Sequence, residues 1–235
     1  MLSALRRWLA PARTVPVTRW RAPTKWRARP TTLLILVVGL WLFGTGEALL
    51  VDSGLGVSPW TVLAQGVDSQ SGIGIGWATF GISVFVLLLW IPLREKPGLG
   101  TLANAILIAV ALGVTAPLLP EPTQPAWQAA EVIGGIALIG LGSGLYLTCG
   151  LGPGPRDGWM TGMHQRTGVP VAAVRAMIEL TVLVLGWALG GTVGIGTIAF
   201  ALLIGPSVGY GLRLADHIGG TGASLLSRDA PATDA

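Results

Sequence analysis

The sequence predicts an all-α membrane protein, with six transmembrane helices arranged as two inverted three-span repeats, each with a short interfacial or re-entrant helix. Three observations carry that prediction. Only 11% of the 235 residues are charged, against about 25% in a soluble domain. Several near-uncharged runs reach the roughly 18–20 residues that cross a bilayer. The chain also matches itself at an offset of 96 residues. A mean hydropathy of +0.68 agrees with the first point. Fifteen basic and eleven acidic side chains cannot coat a soluble surface of this size, and a 51% apolar content excludes disorder.

The first element is a basic N-terminal arm, residues 1–30. It holds Arg6, Arg7, Arg13, Arg19, Arg21, Lys25, Arg27 and Arg29, and no acid. Its Trp8, Trp20 and Trp26 are of a kind that stacks on bases. A basic segment abutting a span is better explained as a topology anchor on anionic lipid, so no nucleic-acid partner is expected. Nor is a cleaved signal peptide, because the apolar run begins near Thr32 and is long enough to span.

Six runs then qualify as spans: about 32–51, 76–92, 101–119, 131–149, 170–189 and 193–212. The second is short, but Trp77 and Trp90 frame it as interfacial anchors would. Two shorter stretches, about 59–69 and 155–166, start at Pro59 and Pro155, and proline suits a first helical turn. At 1.5 Å per residue each reaches about 16 Å, half a bilayer. The resulting organisation is the arm (1–30), a first membrane repeat (31–119), an outer linker (120–130), a second membrane repeat (131–213) and a polar cytoplasmic tail (214–235).

Orientation follows from the basic residues. With six spans and the arm in the cytoplasm, Arg94, Lys96, Arg156, Arg166, Arg175, Arg213 and Arg228 join the arm on one side. Counting the short helices as spans would put Arg94 and Lys96 outside. The positive-inside rule therefore places both termini in the cytoplasm.

The self-match is specific. Gly54-Leu55-Gly56 meets Gly150-Leu151-Gly152, Pro59 meets Pro155, and Gly98 and Gly100-Thr101 meet Gly194 and Gly196-Thr197. Over 42–113 against 138–209, 23 of 72 positions are identical without a gap, where composition alone gives about a tenth. Three spans per unit is odd, so the second unit enters the membrane upside down. The glycines of the matched loops serve either tight turns and close packing or a ligand site.

Charges inside spans are functional candidates. Glu47, Asp157, Arg175 and Glu179 are the candidate polar centre, either a site for a small charged solute or proton relay between the repeats or an ion-pair network that fixes helix register. Arg175 and Glu179 are four residues apart on one helical face and are expected to pair. Gly54, Gly56, Pro59, Gly152, Pro155 and Arg156 are the candidate loop and short-helix site. Asp52 and Glu131, at outer ends, are expected to be hydrated. Cys149 is alone, which excludes an internal disulfide. His164 and His217 lack metal-ligand spacing, so neither a metal nor a cofactor is expected.

At these residues the chain resembles the YczE/YyaS/YitT-like bacterial integral membrane proteins, nearest the YczE branch. The resemblance lies in Gly54-Leu55-Gly56-Val57-Ser58-Pro59-Trp60, Pro97-Gly98-Leu99-Gly100-Thr101, Gly150-Leu151-Gly152-Pro153-Gly154-Pro155-Arg156-Asp157-Gly158, Val174-Arg175-Ala176-Met177-Ile178-Glu179, and the run from Gly190 to Thr197. It covers about residues 35–213. It implies a plasma-membrane location and a helical bundle, and it supplies no catalytic residues.

Two functions compete. One is a small-solute transporter or channel, because interrupted segments in corresponding positions of inverted repeats point to a substrate site. The other is a non-transport scaffold or regulator of envelope proteins, in which the small-residue faces Gly140-xxx-Gly144, Gly186-xxx-Gly190 and Gly205-xxx-Gly209 serve a homo-oligomer. An enzyme is not expected, since the nearest acid–base pair, Asp157 and His164, is two helical turns apart.

Overall fold

The computed structural model describes residues 14–221. Arg6, Arg7, Trp8 and Arg13 of the arm, and Arg228 of the tail, lie outside the described residues. The helices are α1 (Pro30–Asp52), α2 (Pro59–Ser71), α3 (Ile75–Leu88), the single turn α4 (Trp90–Leu93), α5 (Leu99–Thr115), α6 (Pro125–Thr148), α7 (Pro155–Thr167), α8 (Val171–Ala188) and α9 (Ile195–Gly219). Among the described residues, six segments are long and apolar enough to cross a membrane: α1, α3 with α4, α5 with the 3-10 turn that ends it, α6, α8 and α9. No strand occurs among the described residues. The six predicted runs each fall on one of these segments.

Local chemistry explains most boundaries. α1, α2, α6 and α7 each begin at a proline, whose missing N–H is no loss in a first turn. The two 13-residue helices α2 and α7 end at Gly72 and Gly168, both left-handed with φ of 68° and 70°, a conformation that suits glycine. The second span breaks between Leu88 and Trp90, because Pro92 cannot donate to the Leu88 carbonyl. α9 runs to Gly219, so the predicted tail boundary at 213 falls inside a helix.

The helices pack through glycine, as expected where lipid removes the hydrophobic drive between spans. A Cβ on Gly39 would stand 2.9 Å from the Gly142 carbonyl, and one on Gly46 would stand 2.6 Å from that of Gly135. Residue 39 faces 142 while 46 faces 135, so α1 and α6 cross antiparallel. Gly44 admits α5 against α1, with Ala111 at 2.6 Å, and Gly140 and Gly144 admit Ser207 and Gly211 of α9. Gly186 seats on Val62 and Leu63 of α2. Three of the glycines expected to serve an oligomer are thus used inside one chain, whereas Gly205 faces open space.

The described part of the arm is a strap over the helix ends. Trp20 is only 8% exposed. Its ring lies on Gly219, where no Cβ fits, and its Nε1–H donates to Thr148 Oγ1 at 3.1 Å. The Arg19 N–H donates to the Gly219 carbonyl (2.7 Å), the Ala22 N–H to that of Cys149 (2.8 Å), and the Leu99 N–H to that of Lys25 (2.9 Å). The strap therefore ties together the ends of α9 and α6 and the start of α5. Trp26 remains exposed. Trp90 corrects the expectation of an interfacial anchor: it is buried, its Nε1–H donates to the Pro155 carbonyl at 2.9 Å, and its ring fills the notch at Gly158. A buried tryptophan needs a partner for its N–H, and α7 supplies one. Trp77 is exposed, as an interfacial residue would be.

Candidate functional site

Two glycine loops deliver two helix N-termini to one place. Gly54 and Gly56 have φ of 65° and 107°, and their counterparts Gly150 and Gly152 have 68° and 110°. Each loop docks on the other half of the chain. The Gly196 N–H donates to the Leu55 carbonyl (2.8 Å), and the Gly100 N–H to that of Leu151 (2.9 Å).

Behind the first loop, Ser58 caps α2, its Oγ accepting from the Thr61 N–H. Ser58 Oγ–H donates to the Glu47 carboxylate, 3.0 Å from Oε2, and Thr61 Oγ1–H donates to the same oxygen at 2.7 Å. Glu47 is only 2% exposed. Behind the second loop, the α7 N-cap is Gly154, which has no side chain to contribute. Arg156 and Asp157 occupy the first turn. The Arg156 guanidinium carbon lies 5.0 Å from the centre of the Trp60 ring, a cation–π distance. Asp157 Oδ2 accepts from Tyr146 Oη–H at 3.1 Å. On α8, Arg175 Nε–H donates to Glu179 Oε1 at 2.8 Å, the expected pair.

These groups line one cavity of about 260 Å³. Glu47, Asp157, Arg175 and Glu179, the predicted polar centre, all face it, and so do Pro59 and Arg156 of the loop set. The other loop residues shape the site without lining it. Gly54 faces open space. Gly56 presses on Gly194 and Thr197, and Gly152 on Thr101. Pro155 lends its carbonyl to Trp90.

Residues 30–212 match the model of a family of unknown function, DUF6198. The chain belongs to this family. It is 46% identical over 202 residues to an uncharacterized protein of Haemophilus influenzae, covering 86% of this chain and 93% of that one. It is 33% identical over 189 residues to the uncharacterized membrane protein YczE of Bacillus subtilis, covering 80% and 85%. It is 27% identical over 172 residues to the uncharacterized protein YyaS of the same organism, covering 72% and 86%. The resemblance read from the loop motifs is therefore borne out, and the chain is a membrane protein. No solved structure matches it.

In this DUF6198 chain the cavity is lined in pairs. Residues 43 and 139, 47 and 143, 58 and 154, 60 and 156, 79 and 175, 83 and 179, 104 and 200, and 108 and 204 all face it. Each pair is 96 residues apart. Sequence reasoning missed Tyr146, Ser143 and Asn104, and missed Ser58 as the partner of Glu47. The offset itself was the available signal, since it carries Glu47 onto Ser143 and Ser58 onto Gly154.

Several lining groups have no partner. Thr79 Oγ1 and Trp60 Nε1 are buried without a hydrogen bond. No ion pair or hydrogen bond holds the Arg156 guanidinium among the described residues. Elsewhere, His164 Nδ1 lies 2.7 Å from the Val169 carbonyl, a contact that occupies it apart from Asp157. Asp52 and Glu131 depart from the expected full hydration. Their carboxyls meet where α1 ends and α6 begins, and each has one buried oxygen without a partner. Antiparallel packing of the two helices brings them together.

Proposed function

We propose that the protein is a small-solute transporter of the bacterial plasma membrane, with its site in the cavity between two inverted repeats and both termini in the cytoplasm. The observation that carries the reading is the paired lining of the cavity. Residues 96 apart surround one space, as they do around a two-fold axis. The contacts agree. Gly39 meets Gly142 while Gly46 meets Gly135, and these two contacts exchange under the same offset. An axis of that kind lying in the membrane plane turns the second repeat over, which is the arrangement of many secondary transporters.

The short helices fit the same reading as re-entrant segments. α2 is buried from Pro59 to Val62 and exposed at Gln70 and Ser71, and α7 is buried at Pro155 and Gly158 and exposed at Arg166 and Thr167. Their N-termini reach the cavity while their C-termini face outward. Rocking of one repeat against the other would open the site to each face in turn. No catalytic step is assigned to it.

The test is flux in proteoliposomes across a panel of small charged and polar solutes. The wild type is expected to move at least one of them, and the double variant Arg175→Ala, Glu179→Gln to lose that movement. A wild type inert to the whole panel, or flux indifferent to the double substitution, overturns the reading.

A further inference from the structure

We propose that the cavity binds a small zwitterion carrying one carboxylate and one ammonium. This rests on the cavity being a solute site, the reading given above, and does not require that the solute be carried across. The argument is an inventory of charge. Two guanidinium groups, Arg156 and Arg175, and three carboxylates, Glu47, Asp157 and Glu179, face the space. Arg175 and Glu179 pair with one another through one hydrogen bond at 2.8 Å. Glu47 is held by the Ser58 and Thr61 hydroxyls. That leaves Arg156 and Asp157.

Arg156 supplies the recognition of an acid. Its guanidinium lies over Trp60, and its donors meet no acceptor among the described residues. An open guanidinium fork fits a carboxylate through two parallel hydrogen bonds. Thr79 lines the same space, is 3% exposed, and has a hydroxyl with no partner. A buried polar group left in that state is destabilising unless a ligand or water completes it.

Asp157 supplies the recognition of an amine. One hydrogen bond, from Tyr146, reaches its carboxylate, which has capacity for about four. A free anion would meet an excess of one carboxylate in the lining. A free cation would leave the hydrogen-bond donors of the Arg156 fork without an acceptor. A zwitterion satisfies both ends. The volume of about 260 Å³ lies just below the usual range of ligand pockets, about 300–1,000 Å³, and has room for an amino acid.

The test uses the full chain, purified in detergent and reconstituted in nanodiscs, with glycine, L-alanine, L-serine and glycine betaine as probes. Acetate and methylammonium at equal concentration are the single-charge controls. Saturable binding is read by calorimetry and by the shift of the thermal midpoint. At least one zwitterion is expected to bind and raise the midpoint while both controls leave it unchanged. Arg156→Gln is expected to weaken that binding at least tenfold, and Asp157→Asn to weaken it as well. If Arg156→Gln does not fold, Thr79→Val is read in its place and is expected to weaken binding severalfold. Absence of binding by all four zwitterions, equal binding by acetate, or binding unchanged in the variants overturns the proposal. Zwitterion binding without flux retires the transport reading alone. Flux of other solutes without zwitterion binding retires this inference alone.

Discussion

Gly54 and Gly56 are two residues apart in one loop, and replacing each by alanine should cost very different amounts. Gly54 has a φ of 65° and nothing within 4 Å of the position a Cβ would take. Its alanine variant meets only the left-handed penalty, about 1–2 kcal/mol. Gly56 has a φ of 107°, beyond the left-handed well near +57°. Its Cβ would stand 2.5 Å from the Gly194 nitrogen and 2.7 Å from Thr197 Oγ1. Carbon contacts are ordinarily about 3.5–4.0 Å, so backbone must retreat by roughly 1 Å. Overpacking of that kind costs about 1–3 kcal/mol. The same retreat strains the bond from the Gly196 N–H to the Leu55 carbonyl, worth about 1 kcal/mol. With the backbone penalty, Gly56→Ala should cost about 3–6 kcal/mol. Gly152, with a φ of 110° and Thr101 Oγ1 at 2.7 Å from its Cβ position, should behave like Gly56. Gly150 meets only the flexible Arg21 side chain and should behave like Gly54. Reversible unfolding by SDS in mixed micelles measures all four. Equal losses at Gly54 and Gly56, within about 0.5 kcal/mol, would refute the reasoning from φ and crowding.

Cysteines placed at Ser71 and Thr167, the exposed last residues of α2 and α7, should react with an impermeant maleimide from opposite faces of the membrane. Labelling of both from one face would remove the inversion. The native Cys149 should stay silent in that experiment, because it is fully buried and burial pushes its thiol up to about 12. At pH 7 almost none of it is the reactive thiolate, and fast labelling of the wild type would contradict this. Trp20→Ala should destabilise the folded state by about 3–5 kcal/mol, since it empties a buried site and removes the donor to Thr148 Oγ1. Trp26→Ala, at an exposed position, should stay within about 0.5 kcal/mol, and similar losses for the two would count against the strap.

The parts legible in the sequence depend on neighbours along the chain. Proline at Pro59 and Pro155 marks the start of a short helix wherever that helix later packs. The Arg175–Glu179 pair follows from an i,i+4 spacing, which the helix geometry itself brings together. The illegible parts depend on partners far away. Trp20 and Trp90 have the composition of interfacial anchors, yet both are buried because Thr148 and the Pro155 carbonyl, 128 and 65 residues away, receive their N–H groups. A tryptophan beside arginines reads the same in the two environments. Asp157 likewise finds Tyr146 across a helix boundary, and no local pattern announces that contact.

What the sequence alone determined is the number of spans, the family, and the correspondence of the two halves at an offset of 96, because hydropathy and self-similarity are properties of residue order. Which backbones touch and which charges share one space was decided by the tertiary structure. The reason is steric. Glycine at residues 39, 46, 135 and 142 lets α1 and α6 cross antiparallel with their backbones in contact. That crossing brings Glu47 of one half and Arg156, Asp157, Arg175 and Glu179 of the other to the walls of a single cavity. The scarcity of charge identified the membrane protein; the close approach of bare backbones gathered five of its few charges at one site.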